Sequence, residues 1–242
     1  MITTLFIVNI AARSYNMSHK TGMQNTSLKV PLWLRILLPF EPVVATLYNS
    51  FVWHFRKRNR FIRKGDLTLI TSIELPHPRY DCCCRQLLSM LETIHIQSKR
   101  VLDVNTGSGC FAVVAASKGA EVAALDERSL AASVLTRNSE MNGLMDSIQI
   151  MQGDLTEMKK DIGRFDLITC QSRPGEQLFD FHVLFPSARR RLKTDGTLLL
   201  PLHWKHYSKN TLKAATESGL QCVQVDRKFF HCILTFQVFR DA

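Results

Sequence analysis

Two aspartates and two glycines carry the first chemical suggestion in this chain. In VLDVNTGSGC (101–110) an apolar run ends around Asp103, then passes through Gly107 and Gly109 into the helix-like FAVVAASKGA. Asp126 closes the next apolar run, AEVAALD. Glycine lets a backbone come close to a bound group and adopt turns that other residues resist. A carboxylate at a strand end can pair with an ammonium or accept hydrogen bonds from ribose hydroxyls. These residue types suit a nucleotide held above the carboxyl ends of parallel strands. The stretch from Gly107 to Ala112 fits G-x-G-x-x-A, and Asp126 follows about twenty residues after the loop, as the dinucleotide fingerprint requires. On these residues alone a dinucleotide is one reading, and an NAD-dependent oxidoreductase would follow from it. No hydride-transfer acid and no second domain accompany it.

The elements that must position these groups alternate. RQLLSMLETI (85–94) has Leu87, Leu88, Leu91 and Ile94 on one helical face. Strands are expected at 100–104, 121–126, 147–151, 165–170, 197–202, 221–226 and 229–238, with helices at 109–118, 129–141, within 179–193 and at 209–218. Gly119 and Asn142-Gly143 supply helix stops. Runs such as AEVAALD are apolar throughout, as strands buried on both faces are. Repeated strand–helix units predict an α/β fold: a mostly parallel, Rossmann-like, seven-stranded sheet with helices on both faces. The last two strands follow each other closely and can pair as a hairpin, so an antiparallel edge is expected.

Further segments fall in a recognisable order. QGDLTE (152–157), FDLITC (165–170) and LKTDGTLLLP (192–201) follow the glycine loop, and RNSEMNGL (137–144) ends the helix between strands. Over roughly residues 74–240 this order resembles the class I S-adenosylmethionine (SAM)-dependent methyltransferases. Within them it is similar to the small methyltransferase domain group, which holds glutamine-N5 and exocyclic-amine methyltransferases. The resemblance implies SAM as cofactor. It places Asp103 near the methionine part, Asn105, Gly107 and Gly109 in the cofactor loop, and Asp126 on the ribose hydroxyls. Asp154 falls beside the adenine and Leu155 against the ring.

Two positions depart from the family pattern. Asn105 stands where the first motif glycine belongs; asparagine is among the few residues that tolerate a left-handed backbone. After the fourth strand the group carries [D/N]-P-P-[Y/F/W], whose carboxamide or carboxylate and proline carbonyl orient a target NH2. Here the stretch is CQSRPGE: Gln171 and Ser172 would face the acceptor, followed by Arg173 and Pro174. Gln171 keeps a carboxamide on a side chain one methylene longer, and no aromatic remains to stack on a planar acceptor. The implied activity is methyl transfer to a nitrogen of a protein glutamine, a nucleic-acid base or a related planar acceptor. The alternative is a non-catalytic binding or scaffold protein on the same fold. ELPHPRYDCCCRQLL (74–88) resembles the segment that closes over SAM, which brings His77, Arg79 and Tyr80 towards the site.

The chain has 242 residues and a formal net charge of +10. Six cations crowd FRKRNRFIRK (55–64), from Arg56 to Lys64, and such a run suits contact with nucleic acid or a ribosomal partner. Seven cysteines lack the paired spacing of a zinc site or redox motif, so buried free thiols and no metal are expected. The organisation read from the sequence is a flexible segment over 1–30, a helical and basic extension over 31–73, and the methyltransferase-like domain over 74–242. PLWLRILLPFEPVVATLYNSFVWHF (31–55) is broken by Pro39 and Pro42, which argues against a membrane span and for packing on the domain or at a membrane surface. A cytoplasmic setting is expected, or an organelle, since residues 1–40 carry no acidic side chain.

Overall fold

A computed structural model describes residues 61–155, 162–171, 180–203, 206–228 and 231–239. The 1–30 segment, most of the 31–73 extension, the run from Arg56 to Arg60, and Ser172, Arg173 and Pro174 lie outside them.

The chain begins, where described, with a hairpin of β1 (Phe61–Lys64) and β2 (Leu67–Ile70). There follow α1 (Cys82–Met90), β3 (Arg100–Val104), α2 (Cys110–Ser117), β4 (Glu121–Asp126), α3 (Ser129–Met141) and β5 (Ile148–Gln152). Then come β6 (Phe165–Cys170), α4 (Phe181–Arg191), β7 (Leu192–His203), α5 (Lys209–Glu217), β8 (Leu220–Lys228) and β9 (His231–Val238). One sheet runs β5-β4-β3-β6-β7-β9-β8. The pairs from β5 to β7 are parallel, and β9 lies antiparallel to both β7 and β8. The last strand thus folds back from the edge and inserts beside β7.

The sheet separates two apolar clusters. Leu102, Val104, Ile168, Phe185, Leu200 and Phe236 pack on the α4–α5 side. Leu87, Val101, Phe111, Leu135, Leu199 and Ile233 pack on the other side, under α1, α2 and α3. Adjacent strand residues point to opposite faces, so continuously apolar strands fill both clusters at once. The free thiols Cys83, Cys84, Cys110, Cys170 and Cys232 are buried in this packing, as the sequence suggested.

Three elements differ from the sequence reading by more than two residues, β7 by starting at Leu192 rather than at 197. The hairpin over 61–70 falls in a stretch read as a helical extension. Gly65 at φ 58°, followed by Asp66, turns the chain tightly, and FIRK and LTLI have the length and short-period pattern of strands. Helix α1 starts three residues earlier than expected and stops at Met90. The Asp81 carboxylate accepts the Cys84 backbone N–H at 2.8 Å, so the cysteine triplet forms the first turn rather than a preceding loop.

The hairpin is tied down by two carboxamides four residues apart, Asn138 in the last turn of α3 and Asn142 at its C-cap. Asn138 accepts from the Ile70 N–H at 2.6 Å and donates to the Ile70 carbonyl at 3.0 Å. Asn142 does the same with Thr68, at 3.0 and 2.8 Å. These side chains satisfy the outward backbone groups of β2, as a neighbouring strand would. Asn138 also donates to the Ser108 carbonyl at 2.8 Å, which links the hairpin to the glycine loop. Asn138→Ala should cost about 2 kcal/mol, because it strands buried backbone groups without partners. Urea unfolding would measure this, and a loss within a few tenths of zero would show that the linkage does not bear on stability.

Candidate functional site

The carboxyl ends of β3, β4 and β6 form the polar cluster of the domain. Asp103, Asn105, Thr106, Ser108, Asp126 and Gln171 are all buried there. The loop after β3 needs unusual backbone at three places: Asn105 at φ 57°, Gly107 at 61° and Gly109 at 72°. A Cβ on Gly109 would run into the Leu135 side chain, so α2 and α3 pack too closely there for a side chain. Asn105 takes the first of these positions without the clash its size suggests. Its side chain turns away from the loop and donates to the Gln171 carbonyl at 3.0 Å, bridging the ends of β3 and β6.

Asp103 is fully buried. Its carboxylate accepts the Thr106 hydroxyl at 2.6 Å and the Gln171 carboxamide N–H at 3.3 Å. Burial pushes its pKa up to about 7; the Thr106 and Gln171 hydrogen bonds pull against this, and the Asp126 charge adds to it. Asp126 goes the opposite way. Burial would raise its pKa, but the Arg128 side chain and the Gly107 and Arg128 amides outweigh that and leave it below the ordinary value. Two carboxylates at neighbouring strand ends therefore differ in charge near neutral pH.

The partners of Asp126 fill its acceptor positions. Oδ1 receives the Arg128 backbone N–H at 3.1 Å and its Nε at 2.9 Å. Oδ2 receives the Gly107 N–H and Arg128 Nη2, both at 2.9 Å. A carboxylate offers about four lone-pair sites. Any hydroxyl bound by Asp126 must therefore displace the guanidinium. Arg128 was missed in the sequence, although D-E-R at a strand–helix junction was a usable signal. Thr106, the direct donor to Asp103, was missed for want of one.

The remaining sequence-predicted residues divide. Asp154 is half-buried in the loop after β5, held near Asp126 by the Gly153 N–H on the Asp126 carbonyl at 3.0 Å. Leu155 is buried and belongs to the apolar cluster on the α4–α5 side. Gln171 is brought to Asp103, while Ser172 lies outside the described residues. His77 is buried, accepts the Arg79 backbone N–H at 3.2 Å and lies against the Tyr80 ring at 4.6 Å. Pro76, one residue earlier, covers the glycine loop: a Cβ on Gly107 would meet its Cδ at 3.2 Å. Arg79 is exposed and turns to a separate cavity beside the hairpin.

This sheet order, with a glycine loop after β3 and carboxylates ending β3 and β4, defines a SAM-dependent methyltransferase fold. A family model described as methyltransferase small domain matches residues 75–230, and the chain belongs to that family. A ribosomal protein L11 methyltransferase of Desulfitobacterium hafniense is 33% identical over 137 residues, which are 57% of this chain and 42% of that protein. The chain thus spans less than half the length of this relative. A ribosomal protein L11 methylase from Lactobacillus delbrueckii subsp. bulgaricus superposes with a TM-score of 0.56 at 23% identity, over 64% of this chain and 79% of that one. A 16S rRNA N2 G1207 methyltransferase of T. thermophilus, solved with AdoMet and guanosine, gives 0.54 at 23%, over 66% and 43%. Among the described residues no helix is long and apolar enough to cross a membrane.

Proposed function

We propose that this chain binds SAM at the ends of β3 and β4 and transfers its methyl group to a nitrogen of a protein glutamine, a nucleic-acid base or a related planar acceptor. One observation carries the reading: two buried carboxylates flank a glycine loop that a bulkier sequence could not form. Asp126 suits the ribose diol and Asp103 the ammonium of an amino acid. Gly107 and Gly109 let the backbone approach the ligand, and Asp154, in the loop after β5, suits the adenine amine. When bound, SAM supplies a methyl carbon on a sulfonium, which a nitrogen lone pair can displace. Gln171 commits its N–H to Asp103, and its Oε1 makes no hydrogen bond among the described residues. That oxygen is available to accept an acceptor N–H and orient the lone pair. The relatives' acceptors, ribosomal protein L11 and rRNA by their names, support a macromolecular acceptor.

The second reading is a binding protein without transfer, and Gln171 favours it: the acceptor-side amide is partly spent on Asp103. Calorimetric titration of SAM and S-adenosylhomocysteine, followed by labelled-methyl transfer to ribosomal extracts, separates the two. Micromolar binding with label in protein or rRNA is expected. Binding with no label in any fraction selects the second reading, and no binding removes both.

A further inference from the structure

A cavity of about 400 Å³ lies outside the cofactor loop, between the β1–β2 hairpin and the start of α1. Arg63, Lys64, Arg79 and Arg85 line it, and no carboxylate does. Lys64 is paired with Glu92 at 3.1 Å. Arg63 and Arg79 are exposed and have no acidic partner among the described residues. Phe61, also lining the cavity, is 66% exposed, the most exposed large apolar side chain among the described residues. Ile62, Leu69, Pro78, Leu88 and Cys110 complete an apolar floor.

We infer that this cavity is a docking site for single-stranded RNA, with phosphates on the arginines and a base against Phe61. The charge selects an anion, and Arg63 and Arg79 suit phosphate oxygens, which a guanidinium can grip with two donors. The exposed aromatic ring selects a ligand with planar faces as well as charge, a combination that every nucleotide of an RNA offers. The cavity has room for about one nucleotide at this volume. The strand that supplies Phe61, Arg63 and Lys64 continues the basic run that begins at Arg56, so the charge extends along the chain direction. The site also adjoins the cofactor loop: Cys110 is the residue after Gly109, and Pro78 and Arg79 follow the Pro76 that covers Gly107. RNA held here would lie behind the segment that closes over the loop. This inference goes beyond the proposed methyl transfer and does not depend on it.

Fluorescence anisotropy with the full chain and a labelled mixed-sequence 12-nucleotide RNA tests it. Arg63→Glu/Arg79→Glu should weaken binding by tenfold or more. It should also flatten the salt dependence, by about 0.7 in the log–log slope for each phosphate that is no longer neutralised. Phe61→Ala should weaken binding about tenfold with the salt slope unchanged, as removal of a stacking ring requires. Thermal melts of all variants must match the parent, and SAM titration of Arg63→Glu reports separately on the methyltransferase reading. Equal RNA affinity of the double variant and the parent would overturn the site. So would binding of phosphatidylserine vesicles or polyglutamate that shows the same dependence on Arg63, Arg79 and Phe61 and that RNA does not displace.

Discussion

Replacing Asp103 with asparagine should make the unliganded protein more stable above neutral pH and strip it of most of its affinity for SAM. The two effects share one cause. An ordinary aspartate titrates at 3.8, and buried Asp103 titrates at about 7. The folded state therefore holds a proton between about pH 4 and 7 that the unfolded chain has released. Stability falls as pH rises through that window and is lowest, for this group, once the carboxylate is charged. A carboxyl moved from 3.8 to about 7 corresponds to a cost on the order of 4 kcal/mol above pH 7. Asparagine carries no charge and escapes this cost. Its oxygen can still accept the Thr106 hydroxyl, and the Gln171 amide can turn to present its oxygen to the new NH2. Urea unfolding between pH 5 and 8 should show a declining stability in the parent and a flatter profile in Asp103→Asn. Ligand binding reads the same charge with the opposite sign. The ammonium of SAM wants the ionised form, so affinity should rise between pH 5.5 and 7.5 and then level off. A profile independent of pH in the parent would show that Asp103 is not the counter-ion.

The second large effect concerns the pair beside it. Asp126→Ala should weaken SAM binding by about 3 kcal/mol, a factor of more than a hundred, because two hydroxyls lose a charged acceptor. Arg128→Ala should act in the opposite direction and tighten binding. In the unliganded protein the guanidinium holds one position on each oxygen of Asp126, and it must leave before the ribose can bind. Calorimetry on the two variants decides the matter. Tighter binding in Arg128→Ala makes this arginine a competitor for the ribose site; weaker binding makes it a ligand and reverses the assignment. Asp126 keeps its charge down to acidic pH, since its pKa is lowered, so its own titration adds no pH dependence between pH 6 and 8.

Most of the sheet was legible in the sequence for a physical reason. A strand buried on both faces must be apolar at every position, and VLDV, EVAALD and FDLITC advertise that directly. Three of the helices between them stop beside a glycine in the left-handed region: Gly119, Gly143 and Gly219. The residues Asp103, Asn105, Gly107, Gly109, Asp126 and Gln171 were readable for a related reason. They fall at strand ends, and the parallel topology brings all strand ends of one polarity to a single rim. The 61–70 hairpin was not legible as part of the domain. It is held by Asn138 and Asn142, nearly seventy residues or more away, and by Leu69 in the core, and pairing at that range leaves no local pattern.

The sequence by itself determined the family, the order of elements and the residues that crowd the rim. Tertiary structure decided what each of those residues does there. Composition does not reveal that one aspartate is desolvated and the other saturated by donors, because burial and partner geometry set a carboxylate's charge. Nor does it reveal that Gln171 reaches back to Asp103, since that hydrogen bond depends on β3 and β6 lying side by side. The Arg63–Arg79 cavity belongs to the same class: two arginines sixteen positions apart face one space only because the hairpin, tied to Asn138 and Asn142, lies beside the segment that leads into α1.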